Sequence, residues 1–346
     1  MLKSKPVYIV IVAVVIMIAL GMGATWAYFS DVEGSTSNVV RTINNWYDLA
    51  WHWRKPITIN NGGGALTNFQ IALTVDTQTL IGASKMQANG QDIRFTTSGG
   101  VTLIDYWIQS GINTATTIIW VEVPSVPAGN STIYMYYGNA SAPAASNGDN
   151  TFLFFDDFEV DLSKWTIINP TRGSATRVTS PVANGSYSMY LDENSNGASF
   201  GASAAFTAQT QCVIEYYARP VQTNAIWETD VNSGGTNGPY LRFNSDASVE
   251  YNDTAWKDFS PVVSYAANTW YSYKLDNVNA STGTYSVYID GSLKGSNIAF
   301  NNAVASVNQI RFTAEKNTLP KIYVDLVKVR KYASPEPVMS GIGAEE

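Results

Sequence analysis

The chain alternates between apolar and polar residues over many short stretches from Trp46 onward, without a sustained helical period. In the stretch FQIALTV, Phe69, Ile71, Leu73 and Val75 fall on one side, and polar or small residues fall on the other. A period of two residues predicts a strand with one buried face. The runs KPITIN, DIRFTT, LIDYWIQ, TIIWVEVP and STIYMYYG repeat the pattern, which predicts a β-sandwich domain over residues 49–150.

A small and polar break at residues 138–151 ends this half, and a second series of alternating runs begins with FLFFDDFEVDLSKWTI. Asp290-Gly291 in IDGSLKG predicts a tight hairpin, because such turns need positive φ. Many short antiparallel strands over residues 151–334 predict a jelly roll, followed by a C-terminal tail at residues 335–346. The predicted fold class is therefore all-β, with two sandwich domains.

The amino-terminal 29 residues have a different pattern. Lys3 and Lys5 precede an uncharged apolar run at residues 7–20, and small residues follow at Gly21, Gly23 and Ala24. This layout is typical of a secretory signal peptide, while its continuation to Phe29 is long enough for a membrane anchor. Both alternatives export the rest of the chain, so we expect a secreted or membrane-anchored protein at the cell surface. Residues 30–48 are then expected to form an extracellular linker or a donor strand.

Composition narrows the possible partners. Lys plus Arg number 21 and Asp plus Glu 28, so the formal net charge is −7, and no basic block is present to bind nucleic acid. Cys212, the one cysteine, lies in an alternating run and is predicted to be a buried core residue. His52, the one histidine, is not accompanied by a G-x-S-x-G nucleophile elbow, so a Ser-His-Asp triad is not expected.

Five Asn-x-Ser/Thr sequons fit an exported protein and are candidate glycosylation sites. They begin at Asn130, Asn139, Asn184, Asn252 and Asn279. Some are expected by chance in a chain so rich in Asn, Ser and Thr.

Both halves resemble known families. The blocks WHWRKPITINN, QANGQDIRFT, LIDYWI and IIWVEVPSVPAGNSTIYMYYGN resemble the domain of unknown function 2341 over about residues 50–154. The blocks FFDDFEVDLSKWTI, NTWYSYKLDNVNASTGTYSVYIDGSLKG and KIYVDLVKVRKY resemble the concanavalin A-like lectin/glucanase (laminin-G-like) jelly roll. The second resemblance implies two facing antiparallel sheets and the binding of sugars or glycoproteins.

Glucanases of that fold carry the motif E-x-D-x-x-E on one strand. In WETDVNS, Glu228 and Asp230 fit the motif, but Ser233 stands where the second glutamate belongs. Retaining hydrolysis needs a nucleophile and an acid/base ~5–5.5 Å apart. We therefore expect a protein that is not an enzyme, with two solvent-facing acids near a strand end.

Structural calcium is the one cofactor that the sequence indicates. Asp157 and Glu159 lie in the acidic segment FDDFEVD, and Asp325 lies in the closing strand. In the resembled jelly rolls the first and last strands are neighbours and often share a calcium ion, which favours carboxylate ligands. The alternative is an acidic surface turn with ordinary charges at the edge of a strand.

Trp256 stands among polar residues in YNDTAWKDFS, which is typical of a loop or a sheet rim. With Trp227, Tyr240 and Tyr251 it is a candidate platform on which sugar rings stack, flanked by Asn and Asp side chains. The alternative is that these aromatic residues pack in the core or anchor loops.

The block TWAYFSDVEG, within residues 25–38, resembles the start of the camelysin/TasA filament family. This resemblance implies a mature amino terminus that adds a strand to the sheet of the next copy, so that the chain polymerises with itself. The sequence thus favours a non-catalytic surface protein that binds glycans or surface glycoproteins. The alternatives are a filament or surface-layer subunit assembled by donor-strand exchange and a glycoside hydrolase.

Overall fold

The structure is a computed structural model that describes residues 46–315 and 318–346. The predicted signal or anchor at residues 1–29, the filament-like block and nearly all of the predicted linker at residues 30–48 lie outside the described residues. Within the described ranges, no helix has the length and apolar character needed to cross a bilayer. The described chain forms 23 strands and two short helices, so the predicted all-β fold class is confirmed.

The first half of the chain contributes seven strands and one helix. They are β1 (Trp53–Asn61), β2 (Leu66–Val75), α1 (Thr77–Gly82), β3 (Arg94–Thr96), β4 (Leu103–Ile104), β5 (Tyr106–Ser110), β6 (Thr117–Val126) and β7 (Gly129–Tyr137).

The second half contributes the second helix and the remaining strands. They are α2 (Gly148–Thr151), β8 (Phe154–Asp156), β9 (Thr166–Ile168), β10 (Gly173–Val178), β11 (Ser188–Glu193), β12 (Gly201–Gln209), β13 (Gln211–Pro220), β14 (Trp227–Ser233), β15 (Thr236–Phe243), β16 (Ser248–Asn252), β17 (Trp256–Ser264), β18 (Tyr271–Asn279), β19 (Thr284–Ile289), β20 (Ser292–Ala299), β21 (Val307–Ala314), β22 (Lys321–Arg330) and β23 (Val338–Ile342).

The first sandwich packs a five-stranded sheet, ordered β23-β1-β7-β3-β4, against a three-stranded sheet, ordered β2-β6-β5. Phe69, Ile71, Leu73 and Val75 of β2 are all buried in the core between the sheets, as their alternation predicts. A strand with one apolar side is stable only when a second layer covers that side, which is why the two sheets stack.

The segment at residues 335–346 is part of the first sandwich rather than a free tail. Strand β23 pairs antiparallel with β1, and the pairing continues beyond it through hydrogen bonds between Arg54 and Glu346 and from Gly343 to Pro56. The first domain is therefore built from two separate parts of the chain, with the second domain inserted between them.

The second sandwich packs an eight-stranded sheet against a seven-stranded sheet. The seven-stranded sheet has the order β17-β16-β15-β14-β21-β12-β9. Cys212 lies at 0% exposure in their shared core, where burial raises the pKa of its thiol to about 12. Asp290 and Gly291 adopt positive φ in the tight turn between β19 and β20, as predicted.

The two sandwiches meet through apolar and charged contacts. Trp107 and Trp120 of the first domain pack with Phe152, Phe155 and Leu326 in one buried cluster. The nearly buried ammonium of Lys328 lies 4.7 Å from the ring centroid of Trp120. Apolar contacts between two domains of one chain restrict their relative motion.

A buried charge network accompanies these contacts. Glu215 accepts from Lys328 at 2.9 Å and from Arg330 at 3.1 Å. Lys328 also donates to the side chain of Gln109 in the first domain at 3.1 Å. Burial alone would raise the pKa of Glu215, but the two cations lower it to about 2.

Candidate functional site

Strand β14 divides its side chains between the two faces of the seven-stranded sheet. Trp227 and Val231 belong to the sandwich core. Glu228 and Asp230 alternate with them and therefore lie on the opposite side, which faces away from the core. The strand pairing places further polar side chains beside them.

Strand register arranges these polar side chains in two rows that cross the strands. In the first row Thr313, Glu228, Arg242 and Glu250 lie opposite one another on successive strands. The second row contains Ser203, Arg311, Asp230 and Tyr240. On the neighbouring strands β16 and β17, Asn252 lies opposite Trp256. We call this surface the polar face, defined by Ser203, Glu228, Asp230, Tyr240, Arg242, Glu250, Asn252, Trp256, Arg311 and Thr313.

Asp230 and Arg311 form the central ion pair of the polar face. The Nε atom of Arg311 donates to both carboxylate oxygens of Asp230 at 2.9 and 3.0 Å, and Asn232 donates to the same carboxylate at 2.7 Å. Asp230 is fully buried beneath its neighbours, and burial raises its pKa while Arg311 opposes this effect. The carboxylate of Asp230 is thus occupied by protein donors, and the expected solvent-facing position is wrong for this residue.

Arg242 forms a second pair. Its Nε atom donates to Glu250 at 2.5 Å, and Glu250 also accepts from Asn244 at 3.1 Å. The guanidinium of Arg242 lies 4.2 Å from the centroid of the Trp256 ring, a distance typical of a cation–π contact. This contact fixes the orientation of the Trp256 side chain on the sheet.

Glu228 lies between the two pairs and receives a hydrogen bond from the hydroxyl of Tyr240. Burial raises the pKa of Glu228 to about 7, and the nearby carboxylate of Glu315 adds to the rise, while the hydrogen bond from Tyr240 opposes it. Near neutral pH this side chain therefore exists in both protonation states, and it donates a hydrogen bond only when protonated.

The structure brings together two of the four aromatic residues predicted to bind a ligand. The rings of Tyr240 and Trp256 have centroids 4.7 Å apart on the polar face, and both residues are partly exposed. The prediction of ligand binding is wrong for Trp227 and Tyr251, because their strand positions direct both side chains toward the core. Trp227 is only 2% exposed, and Tyr251 packs on Phe259 with centroids 5.1 Å apart.

Sequence reasoning did not identify Arg242, Glu250 or Arg311. Arg242 follows Tyr240 by two residues in YLRFNS, so alternation alone places it on the same face. Arg311 lies 81 residues from Asp230 in the chain, and only the pairing of β14 with β21 brings them together. No local pattern in the sequence carries that information.

The three predicted calcium ligands have protein donors in this structure. Glu159 accepts from the backbone of Ser186 at 2.6 Å and of Tyr187 at 3.0 Å. Asp325 accepts from the backbone of Ala183 and Asn184, and burial raises its pKa to about 7.

Asp157, the third predicted ligand, accepts from the backbone of Glu159 at 3.3 Å. Among the described residues, no group of three or more His, Cys, Asp or Glu side chains is arranged to hold a metal ion. Glu159 and Asp325 instead hold the loop at residues 183–187, and calcium binding stays a prediction.

The sequons differ in their surroundings. Asn130 is exposed, while Asn139 and Asn279 are partly exposed, and Asn279 ends strand β18. Asn252 is buried, with its side-chain oxygen accepting from Thr254 and Asn301.

The remaining sequon residue, Asn184, and the one histidine, His52, lie in different surroundings. The side-chain nitrogen of Asn184 donates to the backbone of Gln109 in the first domain at 3.1 Å. His52 is exposed and contacts the edge of Trp53, as expected of a surface histidine.

Residues 89–168 match the family described as domain of unknown function (DUF2341). This match confirms the expected resemblance over residues 89–154, and residues 50–88 lie outside it. The chain is also similar to "Uncharacterized protein MJ1472" of Methanocaldococcus jannaschii, with 22% identity over 261 residues. The aligned region covers 72% of this chain and 46% of the relative, so the chain spans about half the length of that protein.

Several solved structures are similar to part of the chain. One is a structure titled "Sialidase", with a TM-score of 0.45, 14% identity, and coverage of 59% of this chain and 20% of that one. "Cellulose induced protein, Cip1" has a TM-score of 0.40 and 19% identity, over 51% of this chain and 96% of that one. A family 22 carbohydrate binding module of Clostridium thermocellum has a TM-score of 0.31 and 14% identity, over 54% and 98% of the two chains.

Proposed function

We propose that this chain is an exported cell-surface protein that binds glycans on its polar face without catalysing their cleavage. The observation that carries the proposal is the partly exposed pair of Tyr240 and Trp256, set beside Glu228 and the two carboxylate–guanidinium pairs. Export is supported by the basic, apolar and small-residue order of residues 1–24.

The chemistry of the polar face suits a sugar ring. A sugar presents apolar C–H groups on its ring faces and hydroxyl groups around its edge. The rings of Trp256 and Tyr240 can pack against the C–H groups of the sugar. The side chains of Glu228 and Arg242 can form hydrogen bonds with its hydroxyl groups. Ligand sites typically combine aromatic surface with a few fixed polar groups in this way.

The two rows also favour an extended ligand. Neighbouring strands lie ~4.8 Å apart, so a row that crosses from β21 to β17 extends roughly 19 Å over five strands. A glycan chain that runs across the strands can contact the partly exposed members of the rows, which are Glu228, Tyr240, Arg242, Trp256 and Arg311. Such a ligand gains contacts with each additional sugar unit.

The state of Asp230 supports binding rather than hydrolysis. Hydrolysis of a glycosidic bond requires a second carboxylate that reaches the anomeric carbon or an attacking water molecule. Asp230 is fully buried, and both of its oxygens accept from Arg311. Ser233 at the end of β14 supplies no carboxylate.

A glycoside hydrolase is the second candidate, and Glu228 is the residue that favours it. A glutamic acid with a pKa of about 7 suits a general acid that protonates the leaving oxygen. If this candidate is correct, polysaccharide cleavage by the purified chain is lost in Glu228→Gln. If the binding proposal is correct, the wild-type chain binds oligosaccharides without releasing reducing ends.

Calorimetric titration of the full-length chain with a panel of neutral and acidic oligosaccharides tests the binding proposal. Trp256→Ala is expected to weaken binding by about tenfold or more, equivalent to ~1.4 kcal/mol, because it removes the stacking surface. Trp270→Ala is the matched control, since Trp270 lies beside Tyr323 of the other sheet. Equal affinity of Trp256→Ala and wild type, or no binding across the panel, would overturn the proposal.

A further inference from the structure

We infer that the glycan bound by the polar face is uncharged, without carboxylate or sulfate groups, an inference that rests on the function proposed above. The polar face contains arginine residues, which would ordinarily suggest an acidic ligand. Their contacts and the charges around them indicate the opposite.

Both guanidinium groups of the polar face are already paired. Arg311 donates to both oxygens of the buried Asp230. Arg242 donates to Glu250 at 2.5 Å and covers one side of the Trp256 ring. An anionic sugar that bound the remaining N–H groups of either arginine would share a guanidinium whose charge a protein carboxylate already balances, so the charge of the sugar would lack a counter-ion of its own.

The carboxylates on and beside the polar face outnumber the cations. Glu315 lies 3.9 Å from Arg242, its side chain is 42% exposed, and its Oε2 atom is buried without a hydrogen-bond partner. Lys257, on the neighbouring edge strand, is paired with Asp253 at 2.7 Å. Two guanidinium groups thus face four carboxyl groups, namely Glu228, Asp230, Glu250 and Glu315.

A hydroxyl group suits this arrangement better than an anion does. A hydroxyl donates to a carboxyl oxygen of Glu228 or Glu315 and accepts from any guanidinium N–H that points outward, without separating either ion pair. An anionic sugar instead meets an excess of negative charge, and its own desolvation is not offset by an available cation. The polar face therefore selects for neutral sugars through repulsion of acidic ones.

Matched pairs of oligosaccharides that differ only in charge test this inference. Suitable pairs are β-1,4-glucan and β-1,4-glucuronan, methyl-esterified and free α-1,4-galacturonan, and β-1,4-mannan and β-1,4-mannuronan, each of equal length. In calorimetric titrations with the full-length chain, the neutral member of a bound pair is expected to bind at least about tenfold more tightly. Added salt should reduce that ratio, because it screens the repulsion.

Glu315→Gln provides a variant at the exposed rim. It removes one negative charge, and the ratio of neutral to anionic affinity is expected to fall, mainly through stronger binding of the anionic member. Asp276→Asn is the matched control, because Asp276 lies on strand β18 of the other sheet.

The possible outcomes separate this inference from the proposed function. If an anionic oligosaccharide binds as tightly as its neutral partner or more tightly, the inference is overturned while glycan binding stands. If Glu315→Gln leaves the ratio of neutral to anionic affinity unchanged, this result also counts against the inference. If neither member of any pair binds, the proposed function fails and the inference fails with it.

Discussion

The hydroxyl of Tyr137 donates to Glu345 at 2.7 Å, which ties the last residues of the described chain to strand β7 of the first domain. Tyr137 is fully buried at the end of that strand, 208 residues earlier in the chain. Lys85 pairs with the same carboxylate. The first domain therefore depends on residues that follow the complete second domain.

Deletion of residues 335–346 is expected to destabilise the first domain selectively. The deletion removes strand β23, exposes the edge of β1 and removes the packing of Met339 against the core. In calorimetry we expect a lowered first transition together with a retained transition of the second sandwich, whose core contains no residue of this segment. A single unchanged transition would show that β23 contributes little.

Asn130 and Asn252 are expected to differ as glycosylation sites when the chain is expressed in a host that modifies such sequons. Asn130 is exposed, whereas Asn252 is only 7% exposed, so its side-chain nitrogen has little room for a glycan. Mass spectrometry of tryptic peptides should find modified Asn130 and unmodified Asn252. Substantial glycosylation of Asn252 would contradict the prediction. The Asn130→Gln variant is the control that assigns the modified peptide to Asn130.

Local pattern was sufficient to predict the strands but insufficient to predict which of them pair. The alternation in FQIALTV identifies the buried face of β2, because a strand has a period of two regardless of its neighbours. The prediction of a C-terminal tail is wrong for strand β23, which lies at the edge of its sheet and contains no fully buried residue. Its partner β1 lies about 280 residues away, and the sequence carries no signal of that pairing.

The candidate site shows the same division. Polar neighbours in the sequence distinguish Trp256 from the aromatic residues of the core, whereas Tyr240 is grouped with it by residue type alone. Trp227 was misjudged because it was grouped by residue type, although its alternation with Glu228 places the two on opposite faces. The Asp230–Arg311 pair depends on sheet order, which no local spacing encodes.

Glu215 is expected to make the stability of the chain fall in acid. Burial opposes ionisation, but Lys328 and Arg330 lower the pKa of Glu215 to about 2 in the folded chain. A lowered pKa stabilises the fold above the unfolded value near 4.5, and that contribution is lost as pH falls toward about 2.

Glu215→Gln should therefore destabilise the chain at neutral pH and leave it nearly unchanged in strong acid. The full effect is on the order of 3 kcal/mol at most, and urea denaturation across this pH range measures it. Asp258→Asn, at an exposed position on β17, is a control with the same loss of charge. If the loss of stability in Glu215→Gln is the same at every pH, ionisation of Glu215 is not its cause.

Glu228 is expected to have the opposite pH dependence. Burial raises its pKa from 4.5 to about 7, so between these values the unfolded chain releases a proton that the folded chain retains. Stability therefore decreases as pH rises through this range and levels off above it.

Glu228→Gln removes this penalty, because glutamine keeps the shape of the side chain and cannot ionise. Relative to wild type, the free energy of unfolding of the variant should increase from about pH 4 to about pH 8, by at most about 3 kcal/mol. Urea denaturation at intervals across the range measures the difference. Tyr240→Phe is a useful companion, since loss of its hydrogen bond to Glu228 should raise the pKa of Glu228 further and extend the decrease in stability to higher pH. If the difference in free energy of unfolding between Glu228→Gln and wild type does not change with pH, Glu228 titrates like an ordinary surface glutamate. The polar face would then lack a protonated carboxyl group that donates a hydrogen bond near neutral pH.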